Sequence, residues 1–393
     1  VRLTEHARET LRRLADQGLR RQLPAARDLA TLDPSRDFAS NDYLGLARDV
    51  TLRQLAPELP WGAAASRLLS GDHPIHHQAE ARLAAFVGRP AALLFSSGYA
   101  ANVSTIPALV GADDLVLSDA ANHASLIDGC RLSRARVEIL PHGDLDAAER
   151  VLRARRARHR LCLLVTDAVF SMDGDDAPLA GLATLAERYE ADLYVDEAHG
   201  LGVRGPSGRG LCAKLGVVPT VLLGTLGKSF GLAGAFVASE ASVRDLLVQR
   251  ARGFVYSTGI PPALAAAVLR ATDRVEGADQ ERRLLAAHTR RLRTRLEAAG
   301  FLLPPVPGPI LPLVLGSAES ALAAARFLAA WGLHAPAVRP PTVPPGTARL
   351  RLVPRADHRP EDIDRLAEAL AALPEGPSAG RESSPRLAPS LPR

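Results

Sequence analysis

The chain of 393 residues is 47% apolar and carries a formal net charge of +5, from 48 Lys and Arg against 43 Asp and Glu. That length allows two domains with a sizeable core, and so mild a charge excess, spread over many arginines, argues for solvated faces and against a nucleic-acid surface. Cys130, Cys162 and Cys212 lie far apart with no Cys-x-x-Cys pair, which argues against a disulfide framework; with no signal peptide and no apolar run of spanning length, a soluble cytoplasmic protein is the expectation.

The N-terminal stretch, about 35 residues long, reads as a basic amphipathic helix followed by a loop at LDPSRD. From Phe38 to Gly259 short β-prone runs alternate with helical stretches rich in Ala, Leu and Arg. The runs are AALLF (91–95), LVL (115–117), VEIL (137–140), LCLLVT (161–166), LYVD (193–196) and TVLLG (220–224). Buried strands alternating with helices predict a mainly parallel sheet covered on both faces. Pro261 to Gly300 reads as one or two long helices. PLVLG (312–316), an Ala-rich helix, a Pro-rich loop (339–347), ARLRLV (348–353) and a last helix predict a smaller α+β domain. The organisation is therefore an N-terminal helical segment (1–37), a large α/β domain (38–260), a C-terminal α+β domain with its connecting helix (261–373) and a Pro-, Ser- and Gly-rich tail (374–393) expected to be disordered.

Some short matches mislead. GKS (227–229) ends like a phosphate loop, but the further glycine that such a loop needs five residues earlier is replaced by Leu222. DEAH (196–199) spells a helicase box but precedes the lysine instead of following it. DHPIHHQ (72–78) lacks a carboxylate or cysteine at supporting spacing, and MDGDD (172–176) lacks the closing glutamate of a calcium loop, so both read as turns and no metal is expected.

Four segments together carry chemistry. SSGYAAN (96–102) follows a strand and opens a helix, where small residues and a helix N-terminus favour a phosphate. NHAS (122–125) brings His123 to a strand end, where its ring could stack on a planar group or simply cap the next helix. VDEAHG (195–200) delivers Asp196 to the crevice at the strand ends, with His199 three residues on. A carboxylate there can keep a pyridine nitrogen protonated and make the ring an electron sink. TLGKSFG (225–231) supplies Lys228, one of two lysines in the chain beside Lys214. An amine forms a Schiff base with an aldehyde and a guanidinium does not, which is a chemical reason to keep lysine among so many arginines.

The combination resembles the fold-type I enzymes that use pyridoxal 5′-phosphate (PLP). FASNDYLGL (38–46), GAAASRLLSGDHPIHHQAE (62–80), NHASLIDG (122–129), VFSMDGDDAPL (169–179), VDEAHGLGVRGPSGRG (195–210) and YSTGIPP (256–262) are similar to the α-oxoamine synthases among them. The resemblance implies a mainly parallel seven-stranded sheet flanked by helices, a smaller C-terminal α+β domain and a homodimer. It implies that Lys228 holds the PLP aldehyde and moves protons at Cα, that Asp196 pairs with the pyridine nitrogen, and that His199 meets the phenolic oxygen. His123 would stack on the ring, Ser171 would lie beside it, and Gly98 and Tyr99 would offer backbone N–H groups. Thr225 would bind the phosphate, joined by Ser257 and Thr258 of a neighbouring subunit. Asn41 and Arg351 would hold the amino-acid carboxylate, a planar anion suited to a guanidinium; Arg20 and Thr342 would meet the acyl substrate. Asp167 departs from the glutamate usual there.

Members of that family condense an amino acid with an acyl thioester and release CO2. RPPTVPPGTARLRL (339–352) resembles the branch that joins L-alanine to a pimeloyl thioester, carried by CoA or a carrier protein, in biotin biosynthesis. A sister enzyme using glycine or serine with another acyl-CoA is the same-fold alternative. A regulator or subunit without activity is the alternative of another class, disfavoured because Lys228, Asp196 and His199 are all kept.

Overall fold

The computed structural model of the chain describes residues 2–21, 23, 33–53 and 58–374. These divide into two compact units. One unit contains the described residues from Asp42 to Ser171 and Asp175 to Arg282; the other contains those up to Asn41, Met172–Gly174 and those from Arg283 on.

The larger unit is built on a seven-stranded sheet: β1 (Ala91–Phe95), β2 (Leu115–Asp119), β3 (Arg136–Leu140), β4 (Cys162–Asp167), β5 (Asp192–Asp196), β6 (Val221–Thr225) and β7 (Ala235–Ser239), in the order β1-β7-β6-β5-β4-β2-β3. β2 to β6 run parallel, and β7 runs antiparallel to both β1 and β6. The inner strands are apolar almost throughout because helices cover both faces. Leu94, Leu164 and Val195 face one core cluster, and Leu93, Val165 and Tyr194 the other. β3 is the exception: Arg136 and Glu138 mark it as a solvated edge. β7, read from AFVAS, was not among the six runs picked out by alternation with helices. It follows β6 after a loop of residues 226–234 with no helix between.

In this topology the parallel strands all release the chain along one sheet edge. β2, β4, β5 and β6 end at Asp119, Asp167, Asp196 and Thr225, so four polar side chains gather where open α/β sheets take ligands.

The smaller unit has an antiparallel sheet, β8 (Leu311–Gly316), β10 (Ala348–Leu352) and β9 (Ala337–Val338) in that order. The helices Ala318–Ala330 and Pro360–Ala371 pack on it through Leu328, Ile363 and Leu366 against Leu313, Leu350 and Leu352. Phe38 explains why the segment before Asn41 belongs here. Its ring is fully buried in this core, its N–H donates to the His334 carbonyl at 2.9 Å, and its own carbonyl accepts from Val353.

The N-terminal helix is shorter than the sequence predicted. It spans Leu3–Asp16, and Gly18 at φ +65° lets the chain fold back, with the Leu19 and Arg20 N–H groups closing on the Leu14 carbonyl. The helix buries no residue. The tail expected to be disordered lies, beyond Pro374, outside the described residues.

Candidate active site

The end of β5 supplies Asp196, which is nearly fully buried. Its Oδ1 accepts the Ala198 N–H at 2.9 Å and its Oδ2 accepts from Asn102 Nδ2 at 2.8 Å. Asn102 stands one turn into the helix Gly98–Leu109 and is itself fully buried. Tyr194 OH donates to its Oδ1 at 2.8 Å, which leaves both amide hydrogens for Asp196 and, at 2.9 Å, for Ser125 Oγ. With its oxygen accepting from Asn102, the Ser125 hydroxyl has its hydrogen for His123 Nδ1 at 2.7 Å. Burial pushes His123 toward its neutral form; Asp196 opposes this and Lys228 reinforces it. A neutral imidazole that accepts at Nδ1 carries its proton on Nε2.

Asp167 ends β4 in register with Asp196 on β5. It is fully enclosed, and its Oδ2 accepts the His123 backbone N–H at 2.7 Å. Burial first, and then the charge of Asp196, raise its pKa well above the ordinary carboxylate range. The shorter acid at this position therefore still reaches a partner, and that partner fixes the turn bearing His123.

Lys228 lies in the loop from β6 to β7, its Nζ 2.7 Å from His199 Nε2. The opposite ring nitrogen, His199 Nδ1, is 2.6 Å from the hydroxyl of fully buried Tyr43. Ser229 anchors the loop: it is buried and donates to the Leu201 carbonyl at 2.8 Å. Gly202 is required opposite it, since a Cβ there, at φ +79°, would lie 2.4 Å from the Ser229 Cβ.

The end of β6 lies beside the N-terminus of the helix after β1. Ser97 caps the helix Gly98–Leu109 by accepting from Ala100 N–H, and a Cβ on Gly98 would lie 3.9 Å from the Thr225 hydroxyl. A phosphate fits a helix N-terminus lined by small residues and a hydroxyl. Tyr99 is half exposed and hydrogen-bonds Asp128. Ser171 belongs to this unit and is partly buried; Thr258 is exposed and Ser257 half-buried.

Asn41, Arg351, Arg20 and Thr342 belong to the smaller unit. On β10, Arg349 and Arg351 alternate with the core residues Leu350 and Leu352; Arg349 pairs with Asp173, and Arg351 is buried. Thr342 Oγ1 accepts from Arg21 at 2.8 Å, while Arg20 is exposed. The residues with contacts that sequence reasoning left without a role are Tyr43, Asn102, Ser125 and Tyr194. Asn102 and Ser125 lay inside quoted motifs, and their positions one turn or one cap beyond the obvious residue were the available signal.

The class I and II aminotransferase family matches residues 35–370. The 8-amino-7-oxononanoate synthase of Aromatoleum aromaticum is 50% identical over 342 residues, 86% of this chain and 88% of that protein. A serine palmitoyltransferase variant from S. paucimobilis, solved with a bound PLP–myriocin aldimine, superposes with TM-score 0.84 at 27% identity, covering 96% of this chain and 97% of that one. An 8-amino-7-oxononanoate synthase structure from Francisella tularensis gives 0.71 at 27% identity over 85% of this chain and 96% of that one. The fold is that of the fold-type I enzymes, and PLP is the cofactor.

Proposed function

The chain belongs to the 8-amino-7-oxononanoate synthases, within the class I and II aminotransferase family of PLP enzymes, and on that premise we propose that it condenses L-alanine with a pimeloyl thioester. The products are 8-amino-7-oxononanoate, CO2 and the free thiol, in biotin biosynthesis. The thioester is borne by CoA or a carrier protein. The enzyme works in the cytoplasm as a homodimer. The observation that carries this reading is the convergence of Lys228, His199 and the Asn102-bound Asp196 carboxylate at one sheet edge.

PLP, when bound, supplies an aldehyde for amines and a ring that accepts the electron pair from Cα. The chain's own residues do the rest. Lys228 Nζ would hold the aldehyde, and the same amine would take the Cα proton of alanine and later return one. Asp196, held by two donors, would keep the pyridine nitrogen protonated. His199 would donate to the phenolic oxygen, and His123 would cover the ring face. Thr225 would bind the phosphate and Gly98 and Tyr99 would offer it backbone N–H groups, with Ser257 and Thr258 reaching the phosphate of a neighbouring subunit and Ser171 beside the ring. Asn41 and Arg351 take the alanine carboxylate; Arg20 and Thr342 receive the acyl chain.

The test has two stages. Purified protein given PLP should show a visible absorbance band that Lys228→Ala abolishes; a wild type without the band overturns the reading. CoA release is then compared for alanine with pimeloyl-CoA and for glycine or serine with other thioesters. The solved serine palmitoyltransferase neighbours favour a sister specificity as the second reading. Far faster turnover of glycine or serine would establish it.

A further inference from the structure

Tyr43 has no place in the chemistry above, yet it is one of the largest fully buried side chains in the chain. A buried tyrosine needs a partner for its hydroxyl, and here that partner is His199 Nδ1 at 2.6 Å, with the rings edge to face at 66° and 6.1 Å between centroids. On the other side of the same imidazole stands Lys228 Nζ, 2.7 Å from Nε2. The three side chains form one hydrogen-bonded row, and the middle member, when neutral, has a single proton to place.

We propose that Tyr43 is a positioning residue that fixes the ring plane of His199 and completes either of its tautomers, the Tyr43 hydroxyl donating to Nδ1 when the cofactor is bound so that Nε2–H faces it. This rests on the reading of His199 as the partner of the phenolic oxygen. The argument follows from what each group can do. An ammonium at Lys228, before it is joined to the aldehyde, only donates, so it makes Nε2 an acceptor and sends the imidazole proton to Nδ1, where the Tyr43 oxygen accepts it. Once the amine is engaged by the aldehyde, the group facing Nε2 is an oxygen that needs a donor. The imidazole proton is then required on Nε2, and Nδ1 needs a donor of its own. A hydroxyl serves both arrangements because it donates or accepts by rotating, whereas phenylalanine serves neither. Tyr43 thus lets His199 follow the state of Lys228 without moving its ring.

The experiment uses full-length protein, Tyr43→Phe and wild type, with and without PLP. The first readout is 15N NMR of histidine-labelled protein, the His199 signal being assigned by its loss in His199→Asn. PLP-loaded wild type should show Nδ1 unprotonated and Nε2 protonated. The second readout is the pH titration of the visible band, whose midpoint should shift in Tyr43→Phe, together with PLP retention weakened about three- to tenfold, as for one hydrogen bond. An Nδ1-protonated His199 in loaded wild type overturns the proposal, and so does a Tyr43→Phe protein whose titration midpoint and PLP retention match wild type. If Tyr43→Phe does not fold, the wild-type tautomer decides alone. Failure of the underlying reading looks different: the band would then survive Lys228→Ala or be missing from wild type.

Discussion

Asn102 divides its amide between two duties: one hydrogen goes to the Asp196 carboxylate at 2.8 Å, the other to Ser125 at 2.9 Å. Because Ser125 in turn meets His123, the carboxylate assigned to the pyridine nitrogen and the imidazole assigned to the ring face are positioned by one side chain. Asn102→Ala leaves Tyr194 OH, Ser125 and Asp196 each short of a buried partner. A loss of about 2–4 kcal/mol in unfolding free energy follows from several such groups, read by urea titration, with PLP release faster than in wild type.

Asp196→Asn keeps the shape and removes the charge. The amide keeps one acceptor oxygen, so one of the two donors, the Ala198 N–H or the Asn102 amide, loses its partner, a cost small enough that the fold should persist by circular dichroism. Turnover should fall about 10²–10³-fold, the scale of losing one aligned electrostatic group in an enclosed site. Turnover within a factor of three of wild type would remove Asp196 from the mechanism.

Asp167 predicts a pH effect of defined sign. Its folded pKa is raised above the ordinary 3.8 by burial and by Asp196. Its contribution to stability is therefore fully present below that value and declines as pH rises toward the folded pKa. Asp167→Asn abolishes this slope and should be more stable relative to wild type at pH 8 than at pH 4, as measured by Tm. The same difference at both pH values would show that the folded pKa of Asp167 is not raised.

His142 titrates over a higher window. Burial opposes its charged form, but hydrogen bonds to Asp119 at 2.9 Å and Asp175 at 2.8 Å outweigh it and raise the pKa to about 10. Both partners only accept when ionised, so both ring nitrogens must donate. Stability from this clamp is complete below the unfolded value of 6.5 and is lost as pH rises through the folded one. His142→Gln should flatten the decline in Tm between pH 7 and pH 10; a wild-type Tm constant over that range would contradict the clamp.

Much of the large sheet was legible because its strands are short apolar runs separated by amphipathic helices, a contrast that survives in any single sequence. β7 was not, since it follows a loop instead of a helix and breaks that alternation. That Lys228 and His199 come together was suggested by the two motifs that carry them, and the structure places them side by side. Tyr43 and Asn102 were not legible, because a tyrosine in NDYLGL or an asparagine inside a helix reads equally well as packing. Only their hydrogen bonds, reaching 156 and 94 residues along the chain, distinguish them. Ser229, which had no evident role beside the lysine, is a structural anchor.

The antiparallel course of β7 has a mechanical consequence. Thr225 pairs with Ala235, so the nine-position excursion that bears Lys228 leaves the sheet and re-enters it at the same rim. A parallel strand there would have sent the chain through a long crossover to the far rim, and the lysine would have hung from a segment fixed at one end. As built, it stands on an arch clamped at both feet, cross-braced by the Leu226–Gly234 and Leu232–Leu226 backbone bonds. If Lys228 holds the aldehyde as proposed, an arch so braced confines the travel of its amine largely to the side-chain torsions.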